Sequence, residues 1–131
     1  MAFTRRLAEI LPGFGIAGFA DKSEGVSLTT SAIVPLPATG GFSRKMRSGF
    51  ARFKAVKVSG TSITVALRVR VSDGTTQRVV ANFPASAADE AVDYIFPIIS
   101  DLDFDRLNFD ATTGGTSPSY TVDVEFAGAS A

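Results

Sequence analysis

Basic side chains recur two residues apart in this chain: Arg52 with Lys54, Arg68 with Arg70, and then Arg78 in the next apolar run. In an extended backbone, residues two apart share a face, so each pair projects from one side of a strand. Guanidinium and ammonium groups collected on one face can hold phosphates. Like charges placed opposite each other destabilise a sheet unless an anion lies between them. A polyanion held through its phosphates is therefore the expected partner, bound by Arg52, Lys54, Arg68, Arg70 and Arg78. Phe53 falls on the apolar side of its run with Ala51 and Ala55. No aromatic platform accompanies the basic row, so it would hold phosphates and not read bases.

The acids lie elsewhere in the sequence. From Arg44 to Arg78 nine basic residues stand against Asp73 alone, and from Val79 to Ala131 nine acids stand against Arg106 alone. The chain has no net charge, yet this segregation implies one positive and one negative surface. If the positive surface meets RNA, then Asp89, Glu90 and Asp93 should lie away from it. Asp101, Asp103 and Asp105 alternate like the start of a calcium loop. An EF-hand would need Gly where Arg106 stands and Glu where Thr112 stands, so that motif fails; the triplet reads first as a solvated acidic helix end, with a hard cation held between subunits as the alternative.

The chain has no histidine and no cysteine. That excludes disulfides, thiolate metal sites, thiol nucleophiles and the Ser-His-Asp mechanism. No metal, cofactor or enzymatic activity is expected. Gly13 to Gly18, "GFGIAG", matches the dinucleotide-binding spacing, but Pro12 precedes it and no acid follows at the right distance. Glu9 and Pro12 interrupt the apolar run after Arg5 and Arg6, which argues against a signal peptide. No window approaches the roughly 20 apolar residues of a membrane helix.

These side chains need elements to carry them. Val26–Val34, Phe50–Val58, Ile63–Val71, Thr76–Phe83 and Tyr120–Phe126 read as strands, with loops at Pro35–Gly41, at "SGT" and at "TTGGTSPS". Phe3, Leu7, Ile10 and Leu11 fit a short helix or an arm. Ser86 and Asp89 resemble a helix start, and Val92, Ile95, Phe96, Ile99 and Leu102 recur at helical spacing, with Pro97 as a kink. That stripe is expected to be buried in a dimer. Around Asp73-Gly74, a three-residue loop with Gly74 left-handed would place Leu67 opposite Val79 and Arg68 opposite Arg78. The expected class is α+β: one domain over residues 1–131, an antiparallel sheet with a late helix packed for dimerisation.

The segments "FARFKAVKVSGTSITVALRVRV" and "ASAADEAVDYIFPIISDLDFDRLNF" together resemble the coat proteins of levivirus-type single-stranded RNA bacteriophages. In that layout the first is a basic hairpin facing the genome, and the second is a helix and tail clasping a partner subunit. The resemblance covers Phe50 to Phe109. It implies a homodimer that builds an icosahedral capsid, packages RNA and resides in the virion, assembled in the bacterial host cytoplasm. Two other functions fit the charge layout: a nucleic-acid-binding module that does not assemble, and a tail or adaptor subunit whose opposed faces meet.

Overall fold

Two long strands carry the architecture of the computed structural model, which describes residues 19–130. The expectations for Phe3–Leu11 and for "GFGIAG" lie outside the described residues. The elements are β1 (Phe19–Leu28), β2 (Ala32–Leu36), β3 (Met46–Ser72), β4 (Gln77–Phe83), β5 (Val92–Phe104) and β6 (Arg106–Ser130). β3 and β6 run 27 and 25 residues and pair antiparallel along their length, from Met46 opposite Ser130 to Ser72 opposite Arg106.

The ribbon they form bends where the sequence reads as two separate loops. Register shifts cluster between Lys57 and Thr64 of β3, where Ser59 pairs with Ser119 and Thr61 with Thr116. Gly60 and Gly115 take φ of +117° and +91° there, joined by Ser62 at +52° and Ser117 at +50°. Glycine reaches such angles without a Cβ clash, so "SGT" and "GGTSPS" make bulges that bend paired strands and do not end them.

The bend divides the ribbon into two half-sheets. In the first, β5 pairs with the start of β3 and β1 with the end of β6; in the second, β4 pairs with the end of β3 and β2 with the start of β6. Alternation then sets the core. Ala51, Phe53 and Ala55 of β3, with Val122, Val124 and Phe126 of β6, point inward from the first half and are buried. Val65, Leu67, Val69, Leu107 and Phe109 do so from the second. The inner faces meet where Phe53 stacks on Phe109 at 6.2 Å and Phe83 packs on Phe96 at 5.1 Å. Each large side chain buried in this way contributes about 1.5–3 kcal/mol.

This corrects the α+β expectation. The described residues contain no helix, and the expected late helix is edge strand β5. Val92, Phe96 and Ile98 face the core, whereas Ile95 and Ile99 are 53% and 80% exposed and Leu102 is half-buried. The five residues expected on one helical stripe therefore divide between two faces. Pro97 suits the edge of a sheet, where a missing N–H leaves no ladder bond unmade. The levivirus coat layout falls with the helix, because it needs that helix to clasp a partner subunit.

The β3–β4 register also differs from expectation. Ser72 pairs with Gln77, Arg68 with Asn82 and Leu67 with Phe83, with a bulge between Val69 and Arg70. The connection has four residues because Asp73 organises it: its carboxylate accepts from the amides of Thr75 and Thr76 at 2.9 and 2.7 Å. Gly74 is left-handed, at φ +97°.

Candidate functional site: a polar cleft on the second half-sheet

The five basic residues expected on one face occupy three places. Arg52 and Lys54 lie on the outward face of the first half-sheet, where Arg52 pairs across to Ile95 and Glu125, and Lys54 to Asp93 and Asp123. Both are buried, and the Arg52 guanidinium binds the Asp93 carboxylate in a fork at 2.9 and 2.8 Å. Arg68 and Arg70 lie on the outward face of the second half-sheet and share one carboxylate, Asp110. Arg78 stands apart, 3.3 Å from Asp101.

The positive and negative halves of the sequence thus interdigitate in space. Antiparallel pairing of β3 with β5 and β6 lays the acidic strands beside the basic one. Lys57 binds Asp89 at 2.9 Å, Lys45 binds Asp105 at 3.4 Å, and Arg47 binds Asp103. This corrects the RNA expectation: the arginines do not form one free basic row, because each lies against a carboxylate of a neighbouring strand, Arg68 and Arg70 sharing one. The separation expected for the acids is also corrected, because Asp93 lies on the same face as Arg52. Asp101, Asp103 and Asp105 each take a different basic partner. Among the described residues no cluster of acids could hold a metal ion.

One recess on this surface has chemistry that the network leaves open. Asn82, Arg68 and Asp110 stand in register across β4, β3 and β6, and Ala66 pairs with Thr112 one step along. β4 ends at Phe83 before Pro84, so the small Ala66 side chain floors a shallow cleft of about 190 Å³. Leu67 and Phe83 complete the lining with Arg68, Asn82, Asp110 and Thr112. The Leu67 and Phe83 side chains turn to the inner face, where Phe83 stacks on Tyr94 at 4.1 Å and holds the end of β4 in place.

The polar groups differ in how far they are committed. Arg68 donates through Nε and Nη2 to Asp110 Oδ2 at 3.2 and 3.1 Å, which leaves Nη1 without a partner among the described residues. Arg70 donates through Nη2 to Asp110 Oδ1 at 2.8 Å and through Nη1 to Gln77 Oε1. Its Nε is buried and unpartnered among the described residues. The side chains of Asn82 and Thr112 make no hydrogen bond among the described residues. The cleft therefore presents a held carboxylate, an open guanidinium edge, an amide and a hydroxyl around an apolar floor.

Sequence reasoning found Arg68 but missed Asp110, Asn82 and Thr112 as its companions. The signal was present in "LNFDAT", where Leu107, Phe109 and Ala111 alternate with Asn108, Asp110 and Thr112. The helix tail expected up to Phe109 and the loop expected from Thr112 cut across this alternation.

No protein-family model and no curated protein matches the chain. Among solved structures it is similar to a variant of a family 29 carbohydrate-binding module, at 25% identity and a TM-score of 0.42 over 70% of this chain and 59% of that one. A variant of such a module complexed with mannohexaose gives 22% identity, a TM-score of 0.42 and coverage of 87% and 76%. The infectious bursal disease virus structure gives 12% identity, a TM-score of 0.36 and coverage of 85% and 30%. The chain spans less than two thirds of the first of these modules. These likenesses stand in place of the expected levivirus coat and lend no support to capsid assembly, RNA binding or the tail and adaptor alternatives. At such TM-scores they carry no functional argument of their own.

Proposed function

We propose that this protein is a non-catalytic binding module that takes a sugar unit in the cleft above Ala66. One observation carries the reading: a ring of mixed hydrogen-bonding groups, Arg68, Asn82, Asp110 and Thr112, surrounds the small apolar side chain of Ala66. A sugar offers hydroxyls that donate and accept around a ring with apolar C–H faces. Asp110 can accept, Arg68 can donate, and Asn82 and Thr112 can do both. Because Asp110 is held by two guanidiniums, the cleft is pre-organised and little side-chain freedom is lost on binding.

Catalysis has no support in the lining. Hydrolysis of a glycosidic bond uses two carboxyl groups across the bond, and Asp110 is the only acid lining this cleft. The recess is small and open, so a single sugar should bind weakly, with a Kd of about 1 mM.

The test is a titration of the ¹⁵N-labelled protein with a panel of neutral and acidic oligosaccharides. Saturable amide shifts are expected at Ala66, Asn82 and Thr112. Asn82→Ala and Thr112→Ala should weaken binding about fivefold with unchanged melting temperature, since neither side chain holds the fold. Saturable binding that leaves these amides unmoved, or no binding by any member of the panel, would overturn the reading.

A further inference from the structure

We propose that the cleft selects an acidic sugar, one bearing a carboxylate, over its neutral counterpart; this rests on the reading of the cleft as a sugar site. The ionic group at its wall is unbalanced. Arg68 and Arg70 bring two positive charges to Asp110, which brings one negative charge. Asn108, not an acid, pairs beside Arg70 on β6, and Val79 pairs beside it on β4. No second carboxylate lines the recess.

The surplus charge is accessible in a defined geometry. The Arg68 side chain is 56% exposed, whereas Arg70 and Asp110 are 17% and 16% exposed. Arg68 spends its Nε–Nη2 edge on Asp110 and keeps Nη1 open. A planar guanidinium held along one edge offers the other to a second carboxylate, which it can bind with two parallel hydrogen bonds. Asn82, directly across from Arg68 in register, and Thr112, beyond Ala66, stand where the hydroxyls of the same ring would lie.

The experiment compares digalacturonate with digalactose of the same linkage by calorimetry at low and physiological salt. Digalacturonate should bind about tenfold more tightly at low salt, and the advantage should shrink as salt screens the charge. Arg68→Gln removes a donor and one holder of Asp110, so it should weaken both disaccharides, but digalacturonate by about tenfold more than digalactose, so that the advantage is lost. Arg68→Lys, which keeps the charge but loses the fork, should retain part of it. Melting curves of both variants establish that they fold. Equal binding of the two disaccharides would overturn the selectivity and leave the sugar reading standing. Failure of both to bind at the cleft amides would overturn that reading, and the selectivity with it.

Discussion

Asp89 shows how much one side chain can fix when its backbone is strained. It sits at φ +63°, a region L-residues seldom occupy and which Asn and Asp tolerate best. Its carboxylate accepts from Lys57 Nζ at 2.9 Å and from the Ile63 amide at 3.0 Å, and its own amide donates to the Ile63 carbonyl. Ser86 does the same at Val65, its amide donating to the carbonyl and its hydroxyl accepting from the amide. The segment between β4 and β5 thereby occupies the edge of β3 beyond the end of β4. The Lys57 bond, and then the Ile63 amide, hold the Asp89 carboxyl below the usual carboxylate range. The turn amides of Thr76 and Thr75 do so for Asp73, and Arg106 does so for Asp105. A carboxyl whose pKa is lowered by folding stabilises the fold above its unfolded value and loses that contribution as pH falls through the folded one. Stability should therefore be flat from neutral pH down to about 4 and fall below it. Asp89→Asn keeps the tolerance for positive φ but not the charge, so it should flatten part of that acid slope. Asp89→Ala loses both and should be the less stable of the two at pH 7. Urea titrations across pH would show it, and equal stability of the two variants at pH 7 would remove the backbone argument.

At the scale of elements, the sequence disclosed alternation well and its extent poorly. The inward residues Ile63 to Val71 and Tyr120 to Phe126 are buried as their period of two implies. Val92 to Ser100 misled because its apolar residues satisfy two periods. Val92, Ile95, Phe96 and Ile99 fit a helix, whereas Val92, Tyr94, Phe96 and Ile98 fit a strand, and pairing with β3 decides for the strand. An edge strand with an exposed outer row carries apolar residues on both faces, which blurs the pattern. The polar cleft was hidden for a related reason. Its residues come from three strands, and cross-strand register cannot be read from one strand's alternation. The glycines misled too, because a positive φ serves a bulge as well as a turn. Gly115 offers a direct test, since a Cβ there would press on the Ser62 carbonyl oxygen and lie 2.7 Å from Ile63 Cα. Gly115→Ala should cost more than the roughly 1 kcal/mol of an ordinary strained position, because backbone, not a movable side chain, is in the way. Gly25, also at positive φ but with open space around it, should cost less on the same change. Chemical denaturation of the two variants would rank them, and the reverse order would mean that the bend yields more easily than its geometry implies.

For the whole molecule, continuity of β3 and β6 is the governing feature. Each strand contributes to both half-sheets, so neither half has a complete set of strands without the other. The pairings are also distant in sequence: Phe19 meets Gly128, and Met46 meets Ser130. Such contacts reward the chain only after large loops have closed, which places all-β proteins of this kind in the millisecond-to-second range of folding. Two halves joined only by a linker would melt separately, whereas halves sharing their central strands must unfold together. Unfolding should thus be one transition, with the same midpoint by far-ultraviolet circular dichroism and by tyrosine fluorescence. Amide exchange should place Val124, in the first half, and Phe109, in the second, at the same opening free energy, because each lies on β6 between β3 and a flanking strand. A core truncation in one half, Phe53→Ala, should cost about 3–5 kcal/mol and lower protection in both halves equally. Loss of protection at Val124 with Phe109 unaffected would show that the bend at Gly60 and Gly115 uncouples the halves, and that the ribbon is a hinge between two independent units.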